Sequence, residues 1–301
     1  RAAGVEVHFV IYDLLPWTRS EFFPVGARRN FEGWLRTLAR VADGVICISR
    51  AVADEFLADL EALVDPAARR GTSLKVGFFH LGADLDADVS RRAITAAESE
   101  VAGLIPTDMP VVLMVSTLEP RKGYRQALEA FETLWQSDEK VVLAIVGKRG
   151  WMFDHFAERL RNHPQWMRRL FWFEGASDGL LQSLYRRANV LLAASEGEGF
   201  GLPLIEAAQL GVPLLCRDIP VFREVGGTHA AYFTADSGSQ MAGAIRDWLE
   251  ASTRGGVPLS NGLPWQTWQS STRQLLDVLL RGDWYARWSP GKRWSFPGFS
   301  T

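Results

Sequence analysis

The stretch running from Val190 to Ala194, through Glu198-Gly199-Phe200-Gly201-Leu202-Pro203, into Leu204-Ile205-Glu206-Ala207-Ala208-Gln209-Leu210 constrains the fold more than any other. A short apolar run reads as a buried strand, the glycines allow a sharp turn, and Pro203 suits the first turn of a helix. Strand, turn, helix is the layout that aims backbone N–H groups and a helix N-terminus at an anion, which suggests a phosphate-bearing ligand. Glu198 stands in the turn and Glu206 about one turn into the helix, where a carboxylate can accept two hydrogen bonds from a vicinal diol. A surface turn with a solvated Glu206 has the same local signature, so this stretch does not decide between them.

The rest of the chain alternates in the same way. Strand-like runs at Val111 to Val115, Val141 to Val146, Leu170 to Phe173, Pro213 to Cys216 and Ala231 to Phe233 are separated by helical patterns at Tyr124 to Trp135, Leu180 to Ala188 and Leu204 to Leu210. This is the pattern of a doubly wound parallel sheet. Ahead of it, Val5 to Ile11, Gly44 to Ile48 and Lys75 to Phe79 read as three strands. Helical repeats at Phe31, Trp34, Leu35 and Leu38 and at Val52, Phe56 and Leu60 lie between them, the second capped by Ser49. The interval from Asp84 to Pro110 lacks a strong apolar face and reads as a connection between domains.

The expected organisation is a partial first domain over 1–84, a ligand-binding domain over 85–268, and a C-terminal helix and tail over 269–301. The helix is expected from Trp265 to Leu280. The tail carries Trp284, Tyr285, Trp288, Trp294 and Phe296 with Arg281, Arg287, Lys292 and Arg293. That is the composition either of a membrane-interface surface or, the preferred reading, of a tail packed back on the first domain.

Formal net charge is −2, which gives no reason to expect nucleic acid. Cys47 and Cys216 each sit in an apolar run and read as small buried hydrophobes, as expected in a reducing compartment. No apolar run approaches the roughly 20 residues of a membrane span. The chain opens at Arg1 just ahead of a strand, and a fragment of something longer is expected.

Loops leaving the strands of the second domain hold the candidate chemistry. After Val115 come Glu119-Pro120-Arg121-Lys122-Gly123, whose two cations suit phosphate oxygens, Lys122 being preferred because neighbouring side chains rarely converge on one point. A solvated helix start is the plainer reading of the same pair. Gly147-Lys148-Arg149-Gly150-Trp151 follows the next strand, where Lys148 either reaches a phosphate or is simply exposed. Phe173-Glu174-Gly175 follows another, and its backbone can meet a nucleobase edge. Asp13, after Tyr12, closes the first strand of the chain. Metal-binding His-Glu-x-x-His or Cys-x-x-Cys patterns, a Gly-x-Ser-x-Gly elbow and a dinucleotide Gly-x-Gly-x-x-Gly are absent, and the five histidines are scattered.

These three loops together resemble the family-4 retaining glycosyltransferases, most of all the bacterial polysaccharide branch rich in mannosyltransferases. The resemblance runs over roughly residues 5 to 280 and is strongest from 111 to 233. It implies a GT-B fold of two Rossmann-like, doubly wound α/β domains, the first of them incomplete here. It also implies a hexosyltransferase acting on a nucleotide-diphosphate sugar, of the GDP-mannose kind, with a glycan or lipid-linked acceptor, in the cytoplasm or at the inner face of the membrane. By that resemblance Lys122 and Arg121 neutralise the diphosphate, Glu206 holds the ribose, Glu198 stands by the hexose, and backbone N–H groups of Gly199, Phe200, Gly201 and Leu202 contact sugar and phosphate. No metal or other cofactor is implied, and retention is assigned to front-face attack with the leaving phosphate as base. Many relatives have His-Asp where this chain has Tyr12-Asp13. That departure, with the incomplete first domain, motivates the alternative of a non-catalytic nucleotide-sugar-binding or assembly domain.

Overall fold

The computed structural model describes residues 4–63, 73–84, 94–289 and 292–295. The chain divides into two compact units. Residues 1–84, 198–201 and 265–301 form the first, and residues 85–197 and 202–264 the second.

The first unit opens with β1 (His8–Ile11), α1 (Leu15–Thr18), α2 (Ala27–Val41), β2 (Gly44–Cys47), α3 (Arg50–Leu63) and β3 (Leu74–Phe78). The three strands pair in parallel, Phe9 facing Val45 and Val45 facing Val76. Apolar residues at helical spacing put one side of each long helix into a shared core. Leu35, Leu38 and Ala39 of α2 and Val52, Phe56, Leu57 and Leu60 of α3 are buried with Val45, Cys47 and Val76. Ladder pairing starts at His8 rather than at the expected Val5, which is exposed.

The second unit runs α4 (Ala96–Gly103), β4 (Val111–Val115), α5 (Tyr124–Gln136), β5 (Val142–Val146), α6 (Asp154–Arg161), β6 (Leu170–Phe173), α7 (Asp178–Arg187), β7 (Val190–Ala193), α8 (Leu202–Gln209), β8 (Leu214–Arg217), α9 (Pro220–Gly226), β9 (Ala231–Phe233) and α10 (Gly238–Thr253). Its six strands are all parallel in the order β6-β5-β4-β7-β8-β9. The order reverses between β4 and β7, and in open α/β sheets the crevice at that switch, outside the strands' carboxyl ends, is where ligands sit.

Within the stretch read as a connection, residues 94–110 include the helix α4, and 85–93 lie outside the described residues. Thr95 and Glu98 form a reciprocal capping box at the start of α4. The Glu98 carboxylate also accepts from the Ser177 backbone N–H (2.7 Å) and hydroxyl (3.0 Å), at the cap of α7. A polar helix with almost no buried side chain gives no apolar stripe to read, and it is these hydrogen bonds that fix it.

The chain then returns to the first unit with α11 (Trp268–Leu276), one π-helical turn, β10 (Ala286–Ser289) and β11 (Lys292–Ser295). The expected helix to Leu280 thus leaves α-helical geometry after Leu276. β10 runs antiparallel to β3, with Ala286 facing Val76, and β11 runs antiparallel to β10. The membrane-interface reading fails for Trp284 and Trp288, which are buried in this unit, and Tyr285 donates to Asp54 (2.8 Å). The side chains of Lys292, Arg293 and Trp294, and all of Phe296, lie outside the described residues. Among those described, no helix is long and apolar enough to cross a membrane.

The hydrogen bonds from Thr95 and Ser177, led by the Thr95 backbone N–H, hold the Glu98 carboxyl at about 2 against an ordinary 4.5. A depressed carboxyl stabilises the fold above its unfolded pKa and loses that contribution as pH falls through the folded one. Glu98→Ala is therefore expected to cost about 1 kcal/mol at pH 7. Denaturant melts should show the gap from the wild-type chain closing as pH drops from 4.5 toward 2.

Candidate functional site

Four loops leave the carboxyl edge of the second unit's sheet, and backbone hydrogen bonds join them. After β4 the chain forms a 3-10 turn at Pro120–Lys122, and Gly123 (φ 74°) starts α5. Ser116 N–H donates to Val146 and Leu118 N–H to Lys148 (2.8 Å), while Gly150 N–H returns a bond to Leu118 (3.0 Å), tying the loops after β4 and β5. Gly147 N–H donates to Phe173 (3.2 Å), tying in the end of β6. Across the switch, Glu196 N–H donates to the Arg121 carbonyl (2.8 Å) and the Arg121 guanidinium to the Gly197 carbonyl (3.0 Å). The loops of β4 and β7 are thereby held at one fixed separation.

Gly123 is required for that separation. Its positive φ is strained for an L residue, and a Cβ there would lie 2.4 Å from the Ala194 carbonyl oxygen. The same oxygen accepts a 2.9 Å bond from Arg217 Nε. Arg217, at the end of β8, also donates to Ala235 (2.7 Å) and Gln126 and lies over the Phe233 ring.

The cations of these loops differ in what they can still do. Arg121 forms a 3.0 Å ion pair with buried Glu119 besides its bond to Gly197, so its guanidinium holds the loop together. Lys122 is half-buried on the same turn, and Lys148 is exposed on the next loop. The Phe173 ring is buried and its carbonyl already accepts from Gly147.

α8 begins at Leu202 and carries Glu206 half-buried on its second turn. One carboxylate oxygen, Oε2, accepts from the Tyr185 hydroxyl at 2.8 Å. Among the described residues the other oxygen takes no protein donor. Burial pushes the Glu206 carboxyl up from its ordinary value, the Tyr185 hydroxyl opposing this in part. Tyr185 is itself fully buried, and its own ionisation is pushed far up by burial and by Glu206. Glu206 is thus a preoriented acceptor short of donors, the state of a group that meets a ligand hydroxyl.

Glu198, Gly199, Phe200 and Gly201 belong to the first unit and Glu206 to the second, so the continuous stretch of sequence is divided between them. In the first unit the Gly199 carbonyl accepts from the buried Ser49 hydroxyl (2.8 Å), and the buried Phe200 ring lies against His80, centroids 5.4 Å apart. A Cβ on Gly199 would lie 2.0 Å from the Tyr12 carbonyl oxygen. The Tyr12 side chain is exposed. The Asp13 carboxylate accepts from Leu15 N–H (3.1 Å) at the start of α1. On α3, burial raises the carboxyl of Glu55, and Asp59 and Asp13 add to the effect.

Sequence reading missed Tyr185, Glu119 and Arg217. Only Arg217 left a trace, a charged residue directly after a buried strand. The other two are defined by partners that folding brings near.

A six-stranded parallel sheet with cations and an acceptor carboxylate on the loops and helix at its switch point belongs to the open α/β class whose ligands sit at the strands' carboxyl ends. Solved structures extend this to the GT-B fold. Anabaena Alr3699/HepE in complex with UDP-glucose superposes with a TM-score of 0.66 at 17% identity, over 92% of this chain and 72% of that one. Sucrose-phosphate synthase from Thermosynechococcus elongatus gives 0.64 at 18%, over 91% and 67%. In sequence, residues 96–255 match the family of glycosyl transferases group 1. That is more than half of the chain, which belongs to this family. It is 44% identical over 284 residues to the serotype-specific mannosyltransferase WbdA of Escherichia coli, covering 93% of this chain and 34% of that protein. The chain therefore spans about a third of the length of this curated relative.

Two stability tests follow from the packing. Gly123→Ala should cost roughly 2 kcal/mol or more, since the αL penalty alone is 1–2 kcal/mol, and chemical denaturation measures it. Because the folded Glu206 carboxyl is raised, its ionised form costs stability above the unfolded pKa. Glu206→Gln should therefore melt at or above wild type at pH 7, with the advantage disappearing below about pH 4.5, where the carboxyl is protonated in both states.

Proposed function

We propose that the second unit binds a nucleotide-diphosphate sugar at the switch between β4 and β7, and that the protein transfers the sugar, a hexose, to a glycan or lipid-linked acceptor. The observation that carries this reading is Glu206: held by Tyr185 at one oxygen, short of donors at the other, and suited to a ribose diol. Lys122 and the N-terminus of α8 supply positive potential for the diphosphate, and Lys148 supplements it from the neighbouring loop. No metal is needed when developing phosphate charge is met this way. Arg121 fixes the geometry of the loops. The end of β6 at Phe173 borders the base.

Glu198 and the backbone of Gly199 to Leu202 serve the hexose and the phosphates, and Tyr12 and Asp13 serve the acceptor or sugar side. The mannosyltransferase relatives support mannose as the sugar, and GDP-mannose is the donor proposed with it. Retention of anomeric configuration, with the leaving phosphate taking the acceptor proton, is the mechanism consistent with these groups. Synthesis of bacterial surface polysaccharide from a cytoplasmic donor is the corresponding role, with the acceptor reached at the membrane surface.

Thermal shift with GDP-mannose, UDP-glucose and ADP-glucose tests the donor, since a ligand of the native state raises the melting temperature. GDP-mannose is expected to give the largest shift. Glu206→Ala and Lys122→Ala should each weaken it roughly 10-fold or more, the loss of a hydrogen bond to a charged group. Unchanged affinity in both variants would remove these residues from the site, and donor binding without sugar transfer to any acceptor would leave a binding domain.

A further inference from the structure

The turn Glu198–Gly201 belongs to the first unit, although the strand before it and the helix after it belong to the second. Its partners there are specific. The Ser49 hydroxyl donates to the Gly199 carbonyl at 2.8 Å and accepts from Val52 N–H at 3.2 Å, and Ser49 is wholly buried. Cap acceptance fixes the direction of the hydroxyl's lone pair, so the proton has one productive target, the Gly199 carbonyl. Gly199 itself is pressed against the Tyr12 carbonyl, where even a methyl group would collide, and Ile48 Cδ1 would stand 3.3 Å from it. Phe200 is buried beside His80, whose N–H donates to Gln274 (3.0 Å) and whose carbonyl accepts from Ser271 and Gln266 (2.6 Å each).

We propose that Ser49 is a positioning residue for the transfer step. Through one hydrogen bond it sets the height and orientation of the turn that presents Glu198 to the sugar. Resting as it does on the functional reading above, this adds that the turn's placement depends on the cap of α3. A buried carbonyl that loses its donor has to move toward water or find another partner, and either displaces the neighbouring Glu198. Displacements of about 1 Å at a reacting centre cost up to 100-fold in rate. Lys122 lies on another loop and Glu206 a turn further along α8, so the nucleotide end should feel the change less than Glu198 does.

The test compares Ser49→Ala with Ser49→Thr, which keeps the hydroxyl, in the 301-residue chain. Amide hydrogen exchange without ligand is expected to rise roughly 10-fold in peptides covering residues 197–204 of the Ala variant, because the turn loses the anchor that restrains its opening. The Thr variant should exchange like wild type. The first turn of α3 loosens in the Ala variant on any account, because the cap is lost, so the peptide over the turn decides. With donor and acceptor, Ser49→Ala should lower kcat roughly 10-fold or more, a larger factor than any weakening of the Kd for GDP, and Ser49→Thr should recover most of kcat. Unaltered exchange over 197–204, or a kcat that falls by no more than the affinity for GDP does, overturns the proposal. Should the Ala variant not fold, Ser49→Cys, with its weak donor, replaces it in the exchange measurement. A wild-type chain that binds none of the three nucleotide sugars defeats the functional reading, and the exchange result still decides whether Ser49 holds the turn.

Discussion

The carbonyl oxygen of Ala194, one residue past β7, is the point on which the second unit's carboxyl edge depends. It is buried and must be satisfied, and Arg217 satisfies it from the next strand. It also limits how near α5 can come, because Gly123 meets it with no Cβ between. With that approach fixed, the Arg121 main chain reaches Glu196 and its guanidinium reaches Gly197, so the loops on both sides of the switch become one bonded body. A site for a phosphate-bearing ligand needs such rigidity, since the donors it presents are only useful at a set separation.

Charge in this region is buried only where it is answered. Glu119 faces Arg121 at 3.0 Å, and Arg217 has three acceptors and an aromatic face. Breaking such a group's partner leaves a desolvated charge, which is far more costly than never having had the pair. Glu206 departs from this rule. It has one hydroxyl partner and remains half-buried, and its raised carboxyl records the deficit. Stability would favour an amide or an apolar side chain at this position; recognition favours a carboxylate that a ligand completes.

The two units also differ in how their chain is assembled. The second is nearly continuous in sequence and builds its sheet from parallel strands joined by helical crossovers. The first gathers three separated segments, including four residues of the glycine turn and the strands after Trp284. Contacts of such long sequence separation are what bring Ser49 to Gly199 and Tyr285 to Asp54.

Sequence periodicity was sufficient for nearly all of the parallel strands, for the α5, α7 and α8 helices, the last carrying Glu206, and for the loops in which Lys122, Lys148 and Glu198 lie. Buried strands and amphipathic helices are local patterns, and a parallel sheet puts its loops at one edge whatever their composition. The sequence did not reveal α4, which is fixed by hydrogen bonds instead of an apolar stripe, or β10 and β11, whose few residues carry little periodic signal. It also could not tell a cation left available from one already engaged, which separates Lys148 from Arg121. The sequence by itself determined the fold class and the loops that hold the candidate groups, because both follow from local spacing. The tertiary structure decided that Tyr185 holds Glu206, that Arg217 and Gly123 share one carbonyl, and that the glycine turn rests on Ser49. Each of these depends on burial and on partners that only the folded chain brings within hydrogen-bonding distance.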